Sequence, residues 1–343
     1  MKGGLLIQLH TPLSLPNKPT DVLAIGEILV DMLSMTHSDS TSDANASSLI
    51  YRPFFGGSPA NIGMNADSLG LTSRIVSSVG RDRLGEFLLD YLRVHRMSTD
   101  MIAQVPEATS MVLLNQSQGT PSPAFYRHAD YQLLTSDRLT DTVAHAKVLH
   151  FSSWPLSRQP SRATIESAIA TAKVNNTLVC FDPNYHAGVW NGSGENHAQA
   201  VDYVCSIIAQ ADIIKPSEDD ANRLFGDNTP QAHMERFLKL GVKLVVMTLG
   251  RDGVLVSNGN ESLTLPTLAT TVVNTTGAGD AFWSGLYAGI VRGHSISEAV
   301  QLGQLASRHK LQHLSSVADL PPYETLLQQL TTEEAYVYSQ AQA

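Results

Sequence analysis

The sequence is poor in cysteine and in positive charge, and it has no long hydrophobic run. Its 343 residues include two cysteines, Cys180 and Cys205. Two thiols inside apolar runs cannot build a disulfide framework, so they read as small core residues and favour a reducing compartment. Lys and Arg number 23 against 32 Asp and Glu, a net charge of −9. That balance argues against a general binder of nucleic acid or of an anionic membrane. A phosphate would have to be held by a local device. No stretch approaches the roughly 18 apolar residues of a membrane helix. Residues 1–20 have neither a signal-peptide core nor a small-residue cleavage pattern, and they read as a loose leader to a cytoplasmic protein. A P-loop string, GxxxxGKS/T, is missing. A dinucleotide fingerprint fails because Phe282 stands where a third glycine is needed.

The remaining composition is that of a folded chain. Hydrophobic residues make up 43% and charged residues 16%, enough apolar material for one large α/β domain or two smaller ones. Residues 21–33 read as one buried strand containing a glycine, and 37–48 as a polar loop. A helix is expected at 60–69, a strand at 74–79 and an amphipathic helix at 84–95. Segments 109–116 and 124–127 flank a Ser/Gly/Pro turn and read as a hairpin. Strands at 148–152, 178–182, 212–215 and 244–249 then alternate with helices at 161–174, 198–209, 218–225 and 230–240. This predicts an α/β fold with a mostly parallel sheet covered on both faces. The hairpin and polar loop fall outside that pattern and suggest a small β excursion, a candidate lid. The body spans 21–330, the excursion about 33–57 and 106–130, and a tail 331–343.

The stretch 272–290 carries the most chemistry. An apolar strand is expected to run into Thr275, Thr276, Gly277, Ala278, Gly279 and Asp280, followed by a helix with Gly285 and Gly289 at a close packing face. Amides of Gly277, Ala278 and Gly279 at a helix start favour negative charge. Asp280 would be unwelcome as a mere neighbour of phosphate, so its sensible role is a base for a substrate hydroxyl. The bland alternative is a helix start with a capping Asp. Upstream, FGGSPAN places Gly56 and Gly57 for close backbone approach, Pro59 in a first helical turn, and Asn61 as donor and acceptor to a hydroxyl.

Taken together, GGSPAN, SVGRDRLGEFL, FDPN, IIKPSEDD, MTLGRDG and NTTGAGDAFWSGLYAG resemble, in order, the PfkB family of carbohydrate kinases with its ribokinase-like fold. The resemblance covers residues 21–320. It implies a three-layer α/β/α domain with a small β-sheet lid, and ATP-dependent phosphoryl transfer to a sugar hydroxyl. Asp280 would be the base, and the amides of Gly277, Ala278 and Gly279 the anion hole. Asp31, Gly56, Gly57 and Asn61 would hold the sugar, with Met111, Leu113 and Arg127 contributed by the lid. Asn184, Lys215, Thr248, Gly250, Gly253 and Gln304 would contact ATP. Glu218 and Asp220 would hold Mg2+ through water. Asn274 and Thr276 mark a monovalent-cation position, but Asn274 stands where many members have Asp, which argues against strong K+ activation. His186 replaces an Arg of sugar-kinase relatives, and Ser217 an Asn.

The resemblance is nearest the fructokinase and 2-keto-3-deoxygluconate kinase branch, so fructose or a related keto sugar or sugar acid is the expected acceptor. A nucleoside kinase, or a weakened regulatory or scaffolding relative, is the alternative. Nucleic-acid and membrane partners are not expected. A β-lid exposes sheet edges, which implies a homodimer unless the 37–48 insertion blocks it.

Overall fold

The computed structural model describes residues 7–35, 50–114, 123–191, 193–315, 317 and 319–331. The expected polar loop at 37–48 and most of the 331–343 tail lie outside them. Among the described residues the strands are β1 (Thr20–Ile25), β2 (Leu29–Ser34), β3 (Tyr51–Gly56), β4 (Ser73–Gly80), β5 (Ile102–Val105), β6 (Met111–Leu114), β7 (Ala124–Tyr126), β8 (Ala146–Ser152), β9 (Leu178–Asp182), β10 (Ile213–Ile214), β11 (Leu244–Thr248), β12 (Val254–Ser257) and β13 (Ser262–Leu265).

Nine of them form one sheet in the order β13-β12-β11-β10-β9-β8-β1-β4-β5. It is parallel from β11 to β5, and β12 and β13 are antiparallel at one edge. The period-two alternation of a strand sends successive side chains to opposite faces. Val148, Cys180, Ile213 and Val246 face a core shared with the helices Ala278–Val291 and Ile296–Leu311. Leu149, Phe181, Ile214 and Val245 face the opposite core, built with helices such as Ser161–Val174 and His197–Ile208. The two late helices cross closely because Gly285 and Gly289 have no side chain. A Cβ on Gly285 would lie 2.4 Å from the Leu302 carbonyl.

Three expectations are corrected. The single strand at 21–33 is two strands in two sheets, since Gly26 (φ 152) breaks the run and β2 leaves to pair with β3 and β6. Asp31 therefore belongs to the small sheet β3-β2-β6-β7 and not to the body. The apolar strand before Thr275 is absent. Val272 and Val273 are more than half exposed, and the Val273 N–H donates to the Leu311 carbonyl at the end of the last long helix. The leader is packed from Ile7 onward. Leu9 is fully buried, and Lys18 donates to the carbonyls of Ala146 and Asn175 and to Thr177 Oγ1.

Both cysteines are free thiols. Among the described residues no helix is long and apolar enough to cross a membrane.

Candidate active site

A cavity of about 740 Å³ lies past the carboxyl ends of β1, β8, β9, β10 and β11, where open α/β sheets hold ligands. Asp31, Gly57, Asn61, Asn184, Lys215, Glu218, Asp220, Thr248, Gly250, Gly253, Thr276, Gly277, Ala278, Gly279, Asp280 and Gln304 all line it. Residues 222 positions apart in sequence meet here.

Asp280 lies in the first turn of the helix Ala278–Val291 and is 9% exposed. Ser58 Oγ donates to its Oδ1 at 2.6 Å, and Asn61 Nδ2 donates to its Oδ2 at 2.8 Å. Burial pushes its carboxyl up to about 6. The two hydrogen bonds and Lys215 oppose that rise, and nearby Asp182 adds to it. A carboxyl poised near 6 can be ionised at neutral pH and still accept a proton usefully. Asn61 Oδ1 is buried without a hydrogen-bond partner. The side chain thus orients Asp280 with one end and leaves an acceptor open with the other.

Gly277 caps the same helix in the left-handed region, φ 81. Among the described residues no protein acceptor takes the amides of Gly277 or Gly279. The Ala278 amide departs from its expected role: it donates to the Thr275 carbonyl at 3.1 Å, which tightens the turn and withdraws it from an anion hole. Lys215 stands close by, since a Cβ on Gly279 would lie 3.2 Å from its Nζ. Lys215 is buried and pairs with Asp182 at 3.2 Å, and the Asp182 Oδ2 also accepts from Trp283 Nε1. This wall of the cavity therefore combines two open amides, a helix dipole and a fixed ammonium, all suited to transferring-phosphoryl charge.

The paired glycines upstream serve different ends. A Cβ on Gly56 would strike the Asp31 carboxyl at 2.4 Å, so Gly56 lets Asp31 fold against the backbone toward the cavity. Gly57 has φ 104 and sits 2.4 Å from the Glu27 carbonyl by the same test. Glu27, buried at the end of β1, accepts from the Ser58 amide and from Ser152 Oγ. Burial pushes its carboxyl up to about 8. Glu27, Ser58 and Asp182 all contact the cavity or its key residues and were not singled out from sequence. A charged residue inside an apolar strand was the available signal for Glu27 and Asp182.

Several expected contacts are not made. Arg127 is 6% exposed and away from the cavity. Its five N–H groups are matched by Asp130 Oδ2 twice, Ser157 Oγ, the Val189 carbonyl and the Trp154 carbonyl, so no donor remains for a sugar. Met111 and Leu113 register with Val30 and Met32, on the face of the small sheet opposite Asp31. Val112 and Leu114 share the face of Asp31. Asp220 closes the capping box of the helix Glu218–Phe225, and its other oxygen accepts from the Tyr185 amide, so both oxygens answer protein donors. Glu218 is left as the expected magnesium-side carboxylate. His186 caps a short helix by accepting from the Gly188 amide and packs on Phe125.

At the expected monovalent-cation position the polar atoms of Asn274 answer protein partners. The Asn274 Oδ1 accepts from the Thr276 amide, and its Nδ2 donates to the Leu314 carbonyl. Its own carbonyl accepts from Lys310 Nζ at 2.8 Å.

The pattern of the pfkB family carbohydrate kinases matches residues 19–322 of this chain. The chain belongs to that family. It is a sugar kinase, transferring a phosphoryl group to a hydroxyl. The kinase is 48% identical over 310 residues, 90% of its length and 94% of the relative's, to the ATP-dependent 6-phosphofructokinase of Thermoanaerobacterium thermosaccharolyticum. It superposes on Halothermothrix orenii fructokinase with a TM-score of 0.72 at 39% identity, covering 83% of this chain and 97% of that one. A double mutant of Vibrio cholerae fructokinase, solved with fructose, ADP and a potassium ion, matches with a TM-score of 0.74 at 25% identity, over 92% of this chain and 99% of that one.

Proposed function

We propose that this kinase transfers the γ-phosphoryl group of ATP to a hydroxyl of a ketohexose, fructose or a related keto sugar or sugar acid. The observation that carries this reading is the buried Asp280 carboxylate, held by Ser58 and Asn61 beside the open amides of Gly277 and Gly279. Asp280 takes the proton as the hydroxyl oxygen bonds to phosphorus. The bond from that phosphorus to the ADP oxygen breaks. The two amides and Lys215 hold the charge on the equatorial oxygens. The open Asn61 Oδ1 and Asp31 accept from other sugar hydroxyls. On the nucleotide side, Gly253 (φ 95) lets the chain turn against the Leu265 carbonyl, and Gln304 is fixed by donating to the Pro266 carbonyl. Glu218, which lines the cavity, would hold Mg2+ through water, and the ion would supply neutralisation of phosphate charge.

A sugar 6-phosphate is the second reading. It is favoured by Arg52, which shares the face of Asp31 on the small sheet and stacks on Phe54 at 5.3 Å, and by the name of the 48%-identical relative. ATP consumption against fructose, fructose 6-phosphate, 2-keto-3-deoxygluconate and nucleosides tests both readings. We expect turnover with a ketose. A tenfold preference for fructose 6-phosphate that disappears in Arg52→Ala would select the second reading. No turnover with any acceptor, alongside measurable sugar binding, would favour a regulatory relative.

A homodimer through the small sheet belongs to the same proposal. Met35, Ile50 and Tyr126 stay about half exposed along it. A single-chain mass by sedimentation at micromolar concentration would count against the dimer.

A further inference from the structure

Lys310 lies one residue from the end of the helix Ile296–Leu311 and has no solvent-exposed surface. Its Nζ donates to two backbone carbonyls, Asn274 at 2.8 Å and His313 at 3.3 Å. These carbonyls belong to different segments. One runs into the anion-binding turn at Gly277, and the other leaves the last long helix. Three further hydrogen bonds stitch the same segments together. The Val273 and Asn274 amides donate to the Leu311 carbonyl, and Asn274 Nδ2 donates to the Leu314 carbonyl. A cage of backbone carbonyls is how proteins replace the water shell of a potassium ion. Here a protein ammonium draws two such carbonyls together.

We propose that Lys310 is a built-in monovalent cation: its ammonium holds the Asn274 and His313 carbonyls, fixes the turn that presents Gly277 and Gly279, and makes added potassium unnecessary. Lys310 is a positioning residue, because it touches the segments that carry the anion-binding amides and not the sugar. The proposal needs the kinase activity but no particular acceptor, and one of its readouts needs no activity at all.

The test compares the wild-type enzyme with Lys310→Ala and Lys310→Met in potassium, ammonium, sodium and tetramethylammonium salts at equal ionic strength. Wild-type kcat should be the same in all four. Lys310→Ala should lose at least about tenfold in kcat in tetramethylammonium and recover in a saturable way with potassium or ammonium, and less with sodium. Potassium should raise the Tm of Lys310→Ala and leave that of the wild type unmoved. Lys310→Met fills the space without a charge, so it should be impaired and stay unrescued. Potassium stimulation of the wild type, a folded Lys310→Ala whose Tm and kcat ignore potassium, or a fully active Lys310→Met would overturn the proposal. If Lys310→Ala does not fold in tetramethylammonium, refolding in potassium gives the same readout. Recovery of folded protein supports the built-in cation, and failure in both salts refutes it.

Discussion

Two helices begin on a left-handed or extended-positive glycine beside the same cavity, and they treat their first amides in opposite ways. At Gly57 the opening amide of the helix, that of Ser58, donates to the buried carboxyl of Glu27. At Gly277 the helix start keeps the Gly277 and Gly279 amides clear of acceptors among the described residues and sets Lys215 beside them. Both turns face the same demand, that the free amides of a helix N-terminus find an acceptor. The first turn meets it internally and becomes a rigid shelf for Asp31, Ser58 and Asn61. The second leaves it for a ligand. A glycine turn at a helix start is thus an anion site only where the fold supplies no acceptor of its own.

Substitution should separate the two turns. Of the two glycine substitutions the larger effect on turnover is expected at Gly279, where an alanine Cβ would stand in the opening 3.2 Å from Lys215 Nζ. Gly279→Ala should lower kcat by about 10² or more. Its Tm should not fall, since alanine suits a helix better than glycine. A Tm drop matching the loss of activity would erase the contrast. Gly57→Ala should do the reverse. Its φ of 104 and the Glu27 carbonyl at 2.4 Å oppose any side chain, and about 2 kcal/mol or more of stability should be lost in denaturant unfolding. A Gly57→Ala protein as stable as wild type would refute the rigid shelf.

Ser58→Ala probes the link between the turns. Its hydrogen bond holds the Asp280 carboxyl down against burial, so its loss should raise that pKa from about 6. The acid limb of kcat/KM should then move to higher pH, with a few-fold loss at pH 7. An unmoved limb would detach Ser58 from the base. Glu27→Gln should be the mildest. The folded carboxyl is raised to about 8 from an ordinary value of 4.5, so its contribution to stability is full below pH 4.5 and is lost as pH rises toward and through 8. Wild-type Tm should fall across that window, and the glutamine variant should show a shallower fall. Equal slopes would mean that Glu27 is ionised in the folded protein.

Much of the fold was legible because its elements are local. The helices Ser161–Val174 and Glu218–Phe225 and the strand Leu178–Asp182 have the expected bounds, each set by caps or turn residues within its own segment. The break at Gly26 was not legible, because both halves of 20–34 are apolar and only the pairing partners differ. The hairpin of β12 and β13 and the short β5 escaped for lack of a strong pattern. Val272 and Val273 read as a strand because they are β-branched, yet tertiary hydrogen bonds tie them to a helix end. At the site, glycine and aspartate motifs named the cavity wall. The partners of those residues were hidden because they come from distant segments: Ser58 to Asp280, Lys215 to Asp182, and Lys310 to Asn274. Arg127 failed as a sugar contact for the same reason, since its partners span residues 130–189.

The central claim is that Asp280 is the base of a phosphoryl-transfer site that binds its nucleotide through other groups. Asp280→Asn keeps the shape and removes the proton acceptor. Titration calorimetry with MgATP, run beside steady-state turnover of the same preparation, tests it most directly. The account predicts nucleotide affinity within a few-fold of wild type and turnover down by about 10³ or more. An Asp280→Asn enzyme that turns over at a rate near wild type would contradict it.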